Sequence, residues 1–197
     1  MGQVVRDDIC SRQDISAVSV GGGPGTEAIA LMDILGDYQA TFSLSFDNLD
    51  LEKSWKAIYT DLTRDFAKRT ANVRLRTKFT SLDLRSYADN LKSLHDIAFV
   101  SWFLSEVGKQ DIPGILSAVK GLIKLNGFQV IVDRFEDDLV KSIAAALTKV
   151  RGLILKEHDR QIGHCGVTFP DDIRDAFQVR LIADTAYWVL QPYLEEF

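Results

Sequence analysis

The chain has 197 residues, of which 46% are hydrophobic and 26% are charged, values typical of one globular domain over residues 1–197. Its net charge of −5 argues against a dedicated nucleic-acid-binding protein, its apolar runs are too short to span a bilayer, and its start lacks the apolar core of a signal peptide. With two cysteines and no set of metal ligands at a zinc-site spacing, we expect a cytoplasmic or nuclear protein that is not secreted, holds no metal and has no membrane partner.

Short apolar runs alternate along the chain with longer segments of helical period. This pattern is typical of an α/β domain in which a parallel sheet is covered by helices on both faces. The predicted strands are Ile15–Val20, Ala40–Phe46, Val73–Phe79, Asp96–Trp102 and Phe128–Val132. The predicted helices are Thr26–Leu35, Asp50–Arg69, Ile112–Leu125 and Glu136–Arg151.

Two predictions concern the helix Asp50–Arg69 and the end of the chain. The helix is expected to start at Asp50 as its N-cap and to bury an apolar face with three- and four-residue spacing. That face consists of Leu51, Trp55, Ile58, Leu62 and Phe66. Near the end of the chain, two β-rich runs, Phe177–Ala183 and Ala186–Leu190, flank Asp184-Thr185 and predict a closing hairpin, preceded by a connection over residues 152–175.

The most informative segment is the glycine-rich turn between the first predicted strand and the first predicted helix. It contains four glycines in five residues, Gly21, Gly22, Gly23 and Gly25, with Pro24 between the last two. Glycines at such a turn let a ligand approach the main chain closely. The helix that follows directs its free N–H groups at whatever binds there.

One class of ligand that fits this turn is a dinucleotide. The residues Gly23 to Ala28 match the G-x-G-x-x-A form of the dinucleotide fingerprint, and Asp47 follows at about the spacing of a ribose-binding acid. An NAD-binding oxidoreductase is therefore an alternative. Pro24 argues against it, because proline removes a backbone donor from a loop that should hold a pyrophosphate.

The segment Val18–Glu27 resembles motif I of the class I S-adenosylmethionine-dependent methyltransferases. This resemblance implies a Rossmann-like, three-layer α/β/α sandwich, with a mainly parallel seven-stranded sheet whose last strand is antiparallel. It also implies S-adenosylmethionine as the cofactor. Ser19 departs from the family, which usually has an acid two residues before the first glycine. The family usually also has an N-terminal segment over the cofactor, and here that segment is short or missing.

The resemblance extends to three later segments. Asp47 corresponds to the acid that binds the ribose hydroxyls, Asp83 corresponds to an aspartate beside the adenine amine, and Asp96–Glu106 is similar to motif IV. The cofactor-binding residues that the resemblance implies are Ser19, Gly21, Gly22, Gly23, Gly25, Glu27, Asp47, Asn48, Leu82, Asp83 and Ser101. Ser101, Trp102 and Phe103 are the candidates for the side of the site that meets the methyl acceptor.

The resemblance thus predicts an enzyme that transfers a methyl group from S-adenosylmethionine to an unidentified acceptor, which is a small molecule, RNA or protein. The absence of an Asn/Asp-Pro-Pro-aromatic tetrapeptide at Ser101–Leu104 counts against exocyclic base amines as acceptors. The locally basic stretch Arg64–Lys78 favours RNA as the acceptor, although the negative net charge of the chain argues against it. A non-catalytic interaction module with the methyltransferase fold is a further alternative.

Overall fold

The structure is a computed structural model that describes residues 3–83, 94–164 and 182–193. The strands in these ranges are β1 Asp14–Val20, β2 Phe42–Asp50, β3 Val73–Ser81, β4 His95–Ser101, β5 Ile123–Arg134, β6 Leu153–His164 and β7 Ile182–Pro192. The helices are α1 Gln3–Cys10, α2 Thr26–Gly36, α3 Trp55–Ala67, α4 Ile112–Lys120 and α5 Asp137–Leu147, with a short 3-10 helix at Leu104–Glu106.

All seven strands form one sheet in the order β3-β2-β1-β4-β5-β7-β6. The pairs β3–β2, β2–β1, β1–β4 and β4–β5 are parallel, whereas β7 runs antiparallel to both of its neighbours, β5 and β6. Two apolar cores lie on opposite faces of the sheet, one with α1, α2 and α3 and the other with α4 and α5. The predicted three-layer sandwich with an antiparallel last strand is therefore confirmed.

The predicted closing hairpin is wrong. The strand β7 runs without a break through Asp184 and Thr185, and it pairs with β6, which occupies much of the segment predicted to be a connection. Arg160 of β6 donates a hydrogen bond from its Nε to Asp184, at 2.8 Å, so these polar residues join two strands instead of forming a turn. The remainder of the predicted run, residues 177–181, lies outside the described residues.

The strand β2 is longer than predicted, and this moves the start of the next helix. Its pairing with β1 and β3 continues through Asp47 and Asn48 to Leu49 and Asp50. The predicted strand ended at Phe46, before Asp47. Here Asn48 is itself fully buried, so the strand continues and α3 starts only at Trp55.

The predicted buried face of α3 is correct only in part, because Phe66 packs against the core while other members of that face are exposed. Tyr59 and Thr63 are its buried residues, whereas Ile58 and Leu62 are 45% and 41% exposed. The Tyr59 hydroxyl donates to the carbonyl oxygen of Phe46 at 3.1 Å, so this buried side chain contacts β2. Aromatic side chains can pack as apolar residues while satisfying a polar tip.

The remaining differences concern element ends and one additional helix. The helices α4 and α5 stop four to five residues before their predicted ends, and β5 starts at Ile123 instead of Phe128. The helix α1 was not predicted. None of the helices within the described ranges is long and apolar enough to cross a membrane.

One buried carboxylate ties three elements together. Asp96 of β4 is 3% exposed, and its Oδ1 accepts hydrogen bonds from Arg12 at 2.7 Å and from Lys124 at 2.9 Å. Its Oδ2 accepts the backbone N–H of Ser16 at 2.8 Å. Burial acts to raise the pKa of Asp96, but the bonds from Lys124 and Ser16 and the nearby Arg12 charge lower it overall.

Candidate functional site

The candidate site lies where the carboxyl ends of β1, β2 and β4 meet. In this sheet order β1 and β4 are neighbours, and their connections leave the sheet in opposite directions, which is where open α/β sheets bind ligands. A cavity of about 300 Å³ is present there, a volume typical of small-ligand sites. It is lined by Val20, Gly21, Leu49, Asp50, Leu51, Leu82, Asp83, Trp102, Phe103, Glu106 and Val107.

The backbone of the glycine-rich turn is held mainly by bonds within the protein. The N–H of Gly21 donates to Leu49 O, the N–H of Gly23 donates to a carboxylate oxygen of Asp50, and the N–H of Gly25 donates to Gly22 O, each at 2.8 Å. Pro24 has no N–H. Little of the turn's hydrogen-bonding capacity is therefore left for a phosphate group.

Two glycines are required by the shape of the turn. Gly21 has φ +65°, and a Cβ atom there would lie 2.4 Å from the ring of Phe103. Gly25 has φ +88°, and a Cβ atom there would lie 2.3 Å from the ring of Tyr59. These positive φ values and close contacts exclude a larger residue without rearrangement. Gly21 thus brings bare backbone to the cavity wall.

Several residues that were predicted to bind the cofactor are buried against the glycine-rich turn and do not line the cavity. The Asn48 side chain is buried and donates from its Nδ2 to Gly23 O at 3.0 Å. Ser19 is fully buried. Its hydroxyl and the side-chain amide of Asn48 both lie close to the Cα atom of Gly22. Of the predicted cofactor-binding residues, the cavity is lined by Gly21, Leu82 and Asp83.

The acid at the end of β2 is Asp50, not Asp47. Asp50 is the last residue of β2 and lines the cavity, whereas Asp47 pairs in register with Val18 and Lys78 in the middle of the sheet. The Asp47 carboxylate lies 4.0 Å from His95 Nε2. Asp50 is three residues further along the strand, which places it about 10 Å from Asp47. From the sequence alone, Asp50 was expected to be a helix cap, and it was not among the candidate site residues.

Glu27 and Ser101 line a second cavity. This smaller cavity of about 160 Å³ is bounded by α2, β4 and β5, and its other lining residues are apolar. Burial raises the pKa of Glu27, and a hydrogen bond from its own backbone N–H, followed by the hydroxyls of Ser101, Thr26 and Ser19, offsets part of that rise.

Trp102 has a strained backbone at the mouth of the cavity. Its φ is +55°, the one positive value among the non-glycine residues that the structure describes. Its N–H donates to Val132 O at 2.8 Å, and its side chain is 45% exposed. Strain of this kind concentrates at functional sites, and Trp102 and Phe103 both line the cavity.

We expect Trp102→Gly to be more stable than Trp102→Ala by about 1 kcal/mol, since only alanine is strained at positive φ. Both variants lose the ring, so the difference in the free energy of unfolding in urea isolates the backbone. The same pair at Trp55, the first residue of α3, should show the opposite sign, because glycine disfavours a helix. Equal stability of the two Trp102 variants would contradict the strain.

Comparison with solved structures identifies the fold, whereas two comparisons at the level of sequence find no match. No protein-family profile matches the sequence, and no curated protein matches it. Among solved structures, a SAM-dependent methyltransferase (SAM is S-adenosylmethionine) from Methanosarcina mazei superposes with a TM-score of 0.72 at 12% identity, covering 99% of each chain. The chain has the class I methyltransferase fold.

Two further methyltransferases show how widely this fold is shared. Magnesium protoporphyrin IX methyltransferase from Synechocystis, solved with bound S-adenosylhomocysteine (SAH), matches with a TM-score of 0.59 at 11% identity, over 96% of this chain and 82% of that one. Precorrin-6y C5,15-methyltransferase from Geobacter metallireducens matches with a TM-score of 0.54 at 17% identity, over 98% and 89%. At these identities the likeness concerns the methyltransferase fold alone.

Proposed function

We propose that this chain is a SAM-dependent methyltransferase. The observation that carries the proposal is the cavity at the carboxyl ends of β1, β2 and β4, which has a glycine backbone on one wall and an acid at the end of β2. A sheet with an antiparallel strand between β5 and β6 also differs from the 3-2-1-4-5-6 order of dinucleotide-binding domains.

The residues around the cavity suggest how the adenosine part of SAM would bind. Asp50 would accept hydrogen bonds from the ribose hydroxyls. Each of its oxygens already accepts one backbone N–H, from Gly23 or from Glu52, but a carboxylate has about four acceptor sites. Leu82 and Asp83 would flank the adenine. We therefore assign to Asp50 the role that the sequence had suggested for Asp47.

The turn suits SAM better than NAD because SAM has no phosphate. A pyrophosphate needs free N–H groups at the turn. Three of the turn's N–H groups already donate within the protein, and Pro24 has no N–H to donate. The Asp50 carboxylate that accepts the Gly23 N–H would also repel a phosphate at that place.

The chemistry asks little of the protein beyond binding and orientation. SAM supplies a methyl group activated by its sulfonium, and the protein supplies alignment and a water-poor pocket. Trp102 and Phe103 carry apolar surface at the cavity mouth, where they would exclude water and contact a planar acceptor. A general base is needed only if the acceptor must lose its proton early.

Titration calorimetry with SAM, SAH and NAD tests the proposal. We expect one SAM or SAH molecule to bind per chain and NAD to give no signal. Tight NAD binding with no response to SAH would overturn the proposal in favour of the oxidoreductase alternative.

The class of acceptor is a separate question. Every second residue of β3 from Arg74 to Lys78 is basic and exposed, so these cations lie on the same side of the strand. A basic surface of this kind keeps RNA among the candidate acceptors, together with small molecules and proteins. Incubating a cell extract with the protein and methyl-labelled SAM, with and without ribonuclease, distinguishes RNA from the other classes. Binding of SAM without any labelled acceptor would favour the non-catalytic interaction module.

A further inference from the structure

The basic stretch of the sequence is divided between two sides of the sheet. Its first part lies on α3, where Arg64 and Lys68 pair with aspartates of the same helix. Its second part is an exposed row on β3, the basic stripe, which consists of Arg74, Arg76 and Lys78. The residues of β3 that pack into the core with α2 and α3 alternate with these cations. The basic stripe therefore faces the opposite side of the sheet.

The cations of the basic stripe are not used in ion pairs within the protein. None of the ion pairs among residues 3–83, 94–164 and 182–193 includes a member of the stripe. Other exposed cations, namely Lys109, Arg134 and Arg160, each pair with a carboxylate. The stripe thus presents positive charge that remains available to an anionic partner.

The neighbouring strand adds hydroxyl groups on the same side of the sheet. On β2, Ser43 and Ser45 are in register with the two arginines of the stripe, and Ser45 is exposed. Among the described residues, the core with α4 and α5 includes Leu49 as its one member from β2 and no member from β3. This corner of the sheet is therefore a polar, accessible surface and not part of a core.

Acidic groups leave the positive charge of the stripe in place. Asp47 is in register with Lys78, but its carboxylate lies 4.0 Å from His95 Nε2, and no ion pair within the described part of the chain joins it to Lys78. The net charge of −5 belongs to the whole chain. Exposed charges more than about 8 Å apart are largely screened at physiological ionic strength, so the stripe acts on a nearby anion mainly through its own three charges.

The geometry of the stripe matches an extended chain of phosphates. Alternate residues of a strand lie about 6.6 Å apart, so the stripe is a straight row of three cations about 13 Å long. This spacing is comparable with the distance between successive phosphates of an extended single strand. The strand β3 also runs toward the larger cavity, which Leu82 and Asp83, directly after β3, help to line. A strand bound along the stripe would lead to that cavity.

We propose that the basic stripe binds the phosphates of single-stranded RNA and directs an acceptor nucleotide to the larger cavity. This inference rests on the proposed function, in which that cavity holds SAM. A nucleotide must be unpaired to enter a closed site. Serine hydroxyls both donate and accept hydrogen bonds, so Ser45 suits the 2′-hydroxyl that RNA has and DNA lacks. Cations on an edge strand also discourage pairing with other chains, but that role predicts no affinity for RNA.

The test measures binding of a fluorescein-labelled single-stranded RNA by anisotropy over a series of salt concentrations. The stripe variant combines Arg74→Gln, Arg76→Gln and Lys78→Gln. Each phosphate contact to a single strand contributes about 0.7 to the slope of log affinity against log salt, so the slope should become shallower by about 2 and affinity at about 0.1 M salt should fall on the order of 100-fold. Arg74→Lys combined with Arg76→Lys keeps the charges and should keep the wild-type slope. DNA of the same sequence should bind more weakly than RNA.

The matched control combines Arg64→Gln, Lys68→Gln and Lys109→Gln, which removes the same charge from exposed side chains that are already paired. It should keep the wild-type slope. If the control loses as much affinity as the stripe variant, only net charge matters and the inference is wrong. Unchanged RNA binding by the stripe variant, or DNA binding as tight as RNA binding, would also overturn it.

Calorimetry with SAH on the same proteins separates this inference from the proposed function. The stripe variant should bind SAH as the wild type does, because none of its three substitutions lies in the lining of the larger cavity. If the wild type binds SAH but not RNA, the inference is wrong while the proposed function stands. If the wild type does not bind SAH, the proposed function fails, and the acceptor role of the RNA fails with it.

Discussion

Replacing Asp50 with alanine is expected to weaken SAH binding by about 1.5–3 kcal/mol, the range for hydrogen bonds to a charged group. Asp50 ends β2 and lines the cavity, so in the proposed complex its removal would leave the ribose hydroxyls without an acceptor. Calorimetry on the purified variant measures the loss. Melting temperatures should be recorded as well, because Asp50 also accepts the N–H groups of Gly23 and Glu52.

Asp47→Ala is the matched control for Asp50→Ala. It removes the same side chain from the same strand, but from a place beside His95 in the middle of the sheet. We expect its affinity for SAH to stay within about 0.5 kcal/mol of the wild type, the usual limit for a substitution away from a site. If Asp47→Ala loses affinity and Asp50→Ala does not, our assignment of the ribose-binding acid is wrong.

Asp96→Asn is expected to lower the free energy of unfolding by about 3 kcal/mol, the lower end of the range for breaking a buried ion pair. Asp96 is buried, whereas its partners Arg12 and Lys124 reach solvent in part, so their charges are not stranded. Urea unfolding at neutral pH measures the loss. Asp8→Asn removes the more exposed acid that also pairs with Arg12, and it should cost at most about 1 kcal/mol.

The effect of Asp96→Asn should depend on pH in a defined direction. The pKa of Asp96 is lowered in the folded protein, so folded Asp96 holds its charge at a pH where the unfolded residue is already protonated. Its stabilising effect is therefore complete above the ordinary aspartate pKa of about 4. The difference between wild type and variant should shrink as the pH falls below that value. A difference that stays constant down to pH 2 would contradict the ion-pair explanation.

Local patterns in the sequence were enough to predict the centre of the sheet. The strands β1 and β4 are mostly buried, and the glycine-rich turn marks where the chain leaves β1. Five successive glycine or proline positions between a strand and a helix have few structural explanations other than a ligand-binding turn. The order of elements and the place of the cavity followed from these features.

The parts that could not be predicted depend on partners distant in sequence. The strand β6 has many polar residues, because it lies at the edge of the sheet and pairs on one side only. Its Arg160 donates a hydrogen bond to Asp184 of β7, and no local sequence pattern reveals this partner. The end of β2 was misplaced for a related reason, since its pairing with β1 and β3 continues to Leu49 and Asp50, through residues that looked like a turn.

The strand order also has a consequence for how the protein is made. The strand β6 pairs only with β7, and β7 must fit between β5 and β6, so β6 leaves the ribosome before any partner for it exists. Proteins fold from the N-terminal side during synthesis, and the first five strands can pair in that way. The last two cannot, so completion of the sheet awaits the synthesis of β7. Until then the far edge of β5 and all of β6 present unpaired backbone groups, and unpaired strand edges promote aggregation.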